Sequence, residues 1–306
     1  MHDYTVIIPV FRGEKTLVKL YRLCKTTFEN LSSTFEIIYV LDNKNDEAWS
    51  VIKTLSAENP GAVRGIALSR NFGQHNAIIC GIKYADGKFI ITMDEDLQQS
   101  PEDIPLLTEK QKEGNFDVVY GDFHTQENKF YRNITSKFMK NLLRFGIPGL
   151  NHHYSTFRLI KQSIAKSLLS MNNSYTFLDG FLSWVTKDTS YVIVKNHKSE
   201  AGGSSYSLKK LVDHSLNIFF TFSKLPIRLI SITSFILFIV SISYSLFILL
   251  RKLIYNDLIT GFASLALIIG FGFGFTMLGI SLLGEYLYRI NLKTTNRPNY
   301  FEREIV

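Results

Sequence analysis

Asp94 and Asp96 stand one residue apart in Met93-Asp94-Glu95-Asp96-Leu97-Gln98, directly after the apolar run Phe89-Ile90-Ile91-Thr92. Two carboxylates at the end of a buried strand are costly to keep ionised without positive charge beside them. A divalent cation carrying a diphosphate is a fitting partner, because hard cations such as Mg²⁺ and Mn²⁺ take oxygen ligands. Asp96 is the first candidate for metal contact, with Asp94 nearer the ribose or sugar and Gln98 as an extra oxygen ligand. Such a cation would stabilise the charge that grows on a nucleoside diphosphate as its bond to an anomeric carbon breaks. The competing reading is a solvated acidic turn, the usual meaning of an isolated Asp-x-Asp. Placement after a buried strand favours the ligand reading.

The elements that must position this pair are legible upstream. Tyr4–Val10, Phe35–Leu41, Val63–Leu68 and Phe89–Met93 read as strands, each an apolar β-rich run bounded by turn residues. Helical patterns fill the intervals, with Leu17, Leu20, Leu23 and Cys24 on one face of the first. Ser100 is a plausible helix cap before Pro101, and Asp117–Tyr120 reads as a further strand. Strands alternating with helices imply a mostly parallel sheet covered on both faces. Ligands of such sheets lie beyond the strands' carboxyl ends. Asp42, Ser69-Arg70-Asn71 and Asp94–Asp96 all fall there.

The 306 residues carry a net charge of +7 and are 46% hydrophobic. The apolar residues are uneven: 1–205 reads as a soluble α/β domain, 206–228 as amphipathic juxtamembrane helix, 229–288 as membrane and 289–306 as a cytosolic tail. The stretch 229–250 would make about 33 Å of helix, enough for a hydrocarbon core of about 30 Å. The second stretch, 258–283, holds Gly270, Gly272 and Gly274, a spacing suited to close helix contact and hence to homo-oligomerisation. Lys209, Lys210, Lys224 and Arg228 before the hairpin, and Arg289, Lys293 and Arg297 after it, place both ends in the cytosol. Glu285 and Arg289 sit one helical turn apart and form an expected ion pair. A basic amphipathic helix is expected over 129–145. The positive balance fits anionic headgroups and phosphates, and no basic stripe with interleaved aromatics points to nucleic acid. Cys24 and Cys80 alone imply a reducing compartment without disulfides.

The motifs together resemble those of family 2 inverting glycosyltransferases, and more narrowly the polyprenyl-phosphate group. Asp94-Glu95-Asp96-Leu97-Gln98-Gln99-Ser100-Pro101-Glu102 is similar to that group's Asp-x-Asp-Leu-Gln-x-x-Pro-Glu segment, and Leu68-Ser69-Arg70-Asn71-Phe72-Gly73 to its Leu-Ser-Arg-Asn-Phe-Gly. Val6–Val10, Gly284-Glu285-Tyr286-Leu287 and Arg297-Pro298 extend the likeness over about residues 4 to 300. The resemblance implies a GT-A-like α/β domain with a two-helix transmembrane hairpin, multi-pass in the inner or plasma membrane, and Mg²⁺ or Mn²⁺ as cofactor. It implies inverting transfer from a nucleotide-sugar, a UDP-sugar in the favoured reading, to polyprenyl phosphate. It also implies Pro9, Val10, Glu14, Asp42 and Arg70 on the nucleotide side. Asp94, Asp96, Arg132 and Arg158 would be catalytic, and Arg132, Ser136 and Lys137 would meet the acceptor phosphate.

Three positions depart from the family pattern. Phe11-Arg12-Gly13-Glu14 replaces Tyr-Asn-Glu-Glu, Leu41 replaces the first of two aspartates, and Thr156 stands where Asp precedes Phe-Arg-Leu. The last change removes a protein base at that point, and an already ionised lipid phosphate needs none. His152-His153 is a solvated pair more readily than a metal site. Trp184 and Tyr175 read as core or interface aromatics, and Lys198 with Gly202–Tyr206 as a linker or a segment closing over the donor. A processive polysaccharide synthase would need Gln-x-x-Arg-Trp, and neither Trp49 nor Trp184 follows arginine. Transfer to a glycan or protein hydroxyl, and a non-catalytic membrane scaffold, remain as alternatives.

Overall fold

The computed structural model describes residues 2–43, 46–123, 150–151, 153–171, 176–195, 261–294 and 298–306, with single residues and short stretches between 223 and 254. Its centre is an eight-stranded sheet. In chain order the elements are β1 (Tyr4–Val10), α1 (Leu17–Asn30), β2 (Phe35–Leu41), α2 (Asp46–Glu58), β3 (Val63–Leu68), α3 (Gln74–Tyr84), β4 (Phe89–Thr92) and α4 (Ile104–Gly114). There follow β5 (Val118–Phe123), β6 (Arg158–Lys161), α5 (Gln162–Ser167), α6 (Leu178–Val185), β7 (Thr189–Val194), α7 (Phe262–Thr294) and β8 (Glu302–Ile305). Spatial order is β7-β5-β6-β4-β1-β2-β3-β8.

β1 pairs in parallel with β2 and β4, β2 with β3, and β5 with β7, whereas β6 and β8 run antiparallel to their neighbours. The sheet is therefore mixed as well as mostly parallel. β6 is only four residues long and holds a fully buried arginine, so neither length nor pattern announces it. β8 reads Glu-Arg-Glu-Ile and lies within the stretch assigned from sequence to a tail.

Side-chain alternation sorts the core into two layers. Val6, Ile8 and Val10 pack with Ile37, Tyr39 and Leu41 toward Leu17, Leu20, Trp49, Ile52 and Leu107. Ile7, Ile38 and Val40 face the other way, toward Ala77, Ile78, Ala165, Leu178 and Phe181. The nearly continuous apolar strands thus reflect burial on both faces.

At the amino ends of the strands, buried Glu36 accepts from the Thr5 hydroxyl at 2.7 Å and the Asp86 amide at 2.8 Å. The Gly87 amide donates to Thr5 Oγ1 at 2.8 Å, drawing the β4 entry against β1. Among the described residues, no helix is long and apolar enough to cross a membrane. The 33-residue α7 exposes Leu265, Ile269, Phe273, Leu278, Leu283 and Leu287. Among the described residues, nothing lies within 4 Å of where a Cβ would sit on Gly272, Gly274, Gly279 or Gly284. On the same helix Arg289 Nη2 meets Glu285 Oε1 at 2.6 Å, the pairing expected from their spacing.

A Cβ at Gly87 would lie 2.5 Å from the Thr5 backbone nitrogen. Backbone cannot swing aside, so Gly87→Ala should destabilise the domain by about 1–3 kcal/mol. A thermal or denaturant melt checks this, and an unchanged midpoint would contradict the packing described.

Candidate active site

All parallel strands deliver their carboxyl ends to one edge of the sheet, and the acidic turn is built there. β4 stops at Thr92, and Met93 is buried. The Asp94 amide donates to Gln99 Oε1 at 2.8 Å, closing the turn on itself. Leu97 adopts φ 62°, the left-handed region, and is buried. A leucine there costs about 1–2 kcal/mol, and such backbone strain clusters at functional sites.

The three acids of the turn face different partners. Asp94 receives Gln74 Nε2 at 2.6 Å on Oδ1, and Gln99 Nε2 and the Thr156 hydroxyl at 2.8 Å each on Oδ2. Gln99 Nε2 also donates to Thr156 Oγ1 at 2.6 Å, and the Thr92 hydroxyl fixes the Thr156 carbonyl at 2.6 Å. Glu95 accepts from the amides of Phe11 and Arg12, each at 3.0 Å, and so clamps the loop after β1. Asp96 accepts the Gln98 amide at 3.1 Å, a local Asx turn.

Burial pushes the Asp94 carboxyl up to about 6. The Thr156 hydrogen bond opposes this, the Asp96 charge adds to it, and Arg158 and Gln74 pull it back. Burial also raises Glu95, against the amides of Arg12 and Phe11. Negative charge at the turn is thus under-compensated by the described residues. Among the described residues no group of three His, Cys, Asp or Glu side chains could hold a metal alone. Asp94 and Asp96 present hard oxygen donors, so a divalent cation fits there if its ligand supplies the remaining oxygens. Gln98 is exposed on the same turn.

The neighbouring loop is wired to this turn. Asp42, 4% exposed, accepts the Phe72 amide at 2.6 Å and the Gly73 amide at 2.7 Å, one on each carboxylate oxygen. Burial raises its pKa and those two amides lower it. Its first role in this structure is to hold the loop of residues 69–73. Gly73, at φ 92°, then turns the chain into α3, whose first residue is Gln74. Arg70 is exposed, its guanidinium 4.8 Å from the Phe72 ring centroid. Asn43 Nδ2 reaches the Phe11 carbonyl at 3.2 Å. Val10 is fully buried and its carbonyl accepts the Asp42 amide at 2.8 Å. Pro9 is buried and Glu14 half-buried.

Arg158 lies inside the sheet, in register with Thr92 of β4 and Tyr120 of β5. It is completely buried and paired with Asp179 of α6, which the Tyr120 hydroxyl also contacts. Its Nε and Nη2 have no hydrogen-bond partner among the described residues. Arg158 therefore acts on Asp94 through charge from beneath the site. Arg132, Ser136 and Lys137 lie outside the described residues, as do His152, Tyr175, Lys198 and Gly202–Tyr206. His153 Nδ1 meets Asp122 Oδ2 at 2.6 Å and its ring stacks on Tyr191 at 3.5 Å. Trp184 is half exposed and packs on Phe181.

Four site residues escaped sequence reasoning. Glu95 was the spacer of the motif, and Gln74 and Gln99 carried no signal. Thr156 stands out in the sequence only as a departure from the family pattern. One sequence cue bears on Glu95: a Cβ at Gly13 would collide with its carboxylate, so the glycine that breaks the expected opening motif makes room for it.

A doubly covered α/β sheet with a paired-carboxylate turn at its carboxyl edge is the class of fold that binds its ligand at that edge. The chain belongs to glycosyl transferase family 2, whose model matches residues 5–169. It is 29% identical over 304 residues to an undecaprenyl-phosphate 4-deoxy-4-formamido-L-arabinose transferase of Shewanella sediminis, covering 99% of this chain and 92% of that protein. It is 30% identical over 302 residues to the uncharacterized glycosyltransferase YkcC of Bacillus subtilis, covering 97% of this chain and 92% of that one. A glucosyl-3-phosphoglycerate synthase from Mycobacterium tuberculosis, solved with Mn²⁺, UDP-glucose and phosphoglyceric acid, shares the fold. Its TM-score is 0.53 at 13% identity, over 72% of this chain and 78% of that one.

A carboxyl raised from an ordinary 3.8 to about 6 makes the fold most stable when protonated. That contribution is complete below 3.8 and is lost as pH rises through about 6. Asp94→Asn, with Gln74 turning its amide to accept, should therefore raise the melting temperature at pH 7 while lowering transfer at least about 100-fold. The gain in stability should vanish near pH 4. A destabilised Asp94→Asn at pH 7 would contradict this electrostatic picture.

Proposed function

We propose that this glycosyltransferase moves a sugar, with inversion, from a nucleotide-sugar to a polyprenyl phosphate of the undecaprenyl kind at the cytosolic face of the membrane. The observation that carries the reading is the Asp94–Asp96 turn, under-compensated in charge and fixed on the sheet edge by Gln74, Gln99 and Thr156. The name of the Shewanella relative supports the acceptor class. The Mn²⁺ and UDP-glucose named with the mycobacterial structure support a UDP-sugar and a divalent cation.

When bound, Mg²⁺ or Mn²⁺ would neutralise charge on the departing diphosphate. Asp96 would hold it, Asp94 would orient the sugar side of the donor, and Gln98 would add an oxygen. An oxygen of the lipid phosphate forms the new bond to the anomeric carbon from the face opposite the diphosphate, and the carbon–oxygen bond to the diphosphate breaks. No proton need leave the attacking group, since the phosphate is already ionised. Alignment of two anions is the main task, and it falls to positive side chains. Arg132 and Lys137, with Ser136, are proposed for the acceptor phosphate, and buried Arg158 sets the field beneath Asp94. Pro9, Val10, Glu14, Asp42 and Arg70 are proposed to shape the nucleotide side.

The apolar stretches 229–250 and 258–283 are proposed to form a membrane hairpin. It would keep the site at headgroup depth, with the glycines of the second stretch available for helix association.

Membranes containing the chain, incubated with polyprenyl phosphate, Mg²⁺ or Mn²⁺ and a panel of labelled sugar nucleotides, should place label in the lipid fraction. A chelator should abolish that label, and Asp96→Asn should lower it at least about 100-fold. Label appearing in glycan or protein without added lipid would instead favour a hydroxyl acceptor.

A further inference from the structure

The last residues of the chain do more than close the sheet. β8 pairs antiparallel with β3, Ile66 opposite Ile305 and Ala67 opposite Glu304. Gly65 and Val306 exchange backbone hydrogen bonds of 2.8 and 2.9 Å. The register then shifts between Ala67 and Leu68, bringing Leu68 opposite Glu302. A bulge of this kind re-aims the chain beyond it. Past the end of β3, the Ser69 amide donates to the Phe301 carbonyl at 2.9 Å. The Phe301 ring lies 6.3 Å from that of Phe72, which also meets the Arg70 guanidinium and packs against the core. Two side-chain anchors fix the strand from either face of the sheet: Trp49 Nε1 to Glu304 at 2.9 Å and Lys83 Nζ to Glu302 at 2.9 Å.

Covering an exposed edge would need only the ladder between Gly65 and Leu68. The contacts to Ser69 and Phe72 lie beyond that ladder, on the loop whose Phe72 and Gly73 amides grip Asp42 and whose next residue, Gln74, grips Asp94. We infer that the C-terminal strand, with Phe301, is a positioning element that holds loop 69–73 in the conformation needed to bind the nucleotide-sugar. The ligand assigned to that loop rests on the function proposed above. The strap itself rests on geometry alone.

The test compares the full chain with a chain ending at Asn299 and with Phe301→Ala and Phe301→Tyr. Hydrogen exchange of the Ser69, Phe72 and Gly73 amides should quicken at least ten-fold on truncation, and less in Phe301→Ala. KM for whichever labelled nucleotide-sugar the full chain turns over should rise about ten-fold on truncation, with kcat within two-fold. A peptide of residues 299–306 added in trans should restore both by rejoining the sheet edge. Phe301→Tyr should behave as the parent. If truncation prevents folding, Phe301→Ala, which keeps the strand's backbone bonds, decides by the same two readouts. Faster exchange confined to Gly65–Leu68 with KM unchanged would overturn the inference and leave plain edge protection. A fall in kcat at constant KM would overturn it too. A parent chain that turns over no nucleotide-sugar would fail the functional reading, while the exchange comparison would still decide this one.

Discussion

The structure depends on how an ionisable carboxylate is kept at the end of a buried strand. Among the described residues, the side-chain donors to Asp94 are neutral, two amides and a hydroxyl, and none is a cation. Neutral donors orient a carboxylate without cancelling its charge. The group is left in a state that burial and Asp96 disfavour, and a cation arriving with its diphosphate would relieve it. A directly paired arginine would remove that incentive.

Among the described residues, the arginine whose charge reaches Asp94 is committed elsewhere. Arg158 is buried and paired with Asp179, with Tyr120 contacting the same carboxylate. A buried pair of this kind contributes little net stability, yet removing one member leaves an uncompensated charge. Here it also sets a graded field, since Arg158 lowers the Asp94 pKa without a hydrogen bond to it. The three donors to Asp94 come from α3, from the turn itself and from the segment entering β6. Glu95 adds the loop after β1 and Asp42 adds the loop after β3. Three segments distant in sequence, the loop after β1, the start of α3 and the entry to β6, are thus tied to one acidic turn, and Asp42 holds the loop that leads into α3.

Much of the sheet was legible in the sequence because β1 to β4 are apolar runs stopped by turn residues, and strands buried on both faces leave that signature. β7 has no counterpart among the expected strands, and β6 and β8 were not legible. One has four residues with a buried arginine at its head, and the other alternates charges like a solvated tail; only the partner strands make them strands. The acidic turn could be found from its spacing and from its place after β4. The supporting shell could not, because Glu95 meets Phe11 across 84 residues and Thr156 meets Asp94 across 62. Pairings at that range follow from topology, which a single sequence encodes only indirectly. The departures from the family pattern were the most informative cues. Gly13 proved to be room for Glu95, and Thr156 proved to be a donor to Asp94.

The Asp94–Asp96 turn is proposed to take up a divalent cation only together with a nucleoside diphosphate. Electron paramagnetic resonance of Mn²⁺ tests it directly. The account predicts that the full chain leaves the free-ion spectrum nearly unchanged until UDP or a UDP-sugar is added, and that the signal then broadens into that of a protein-bound ternary complex. Tight Mn²⁺ binding without nucleotide, or a ternary complex of undiminished affinity in Asp96→Asn, would contradict it.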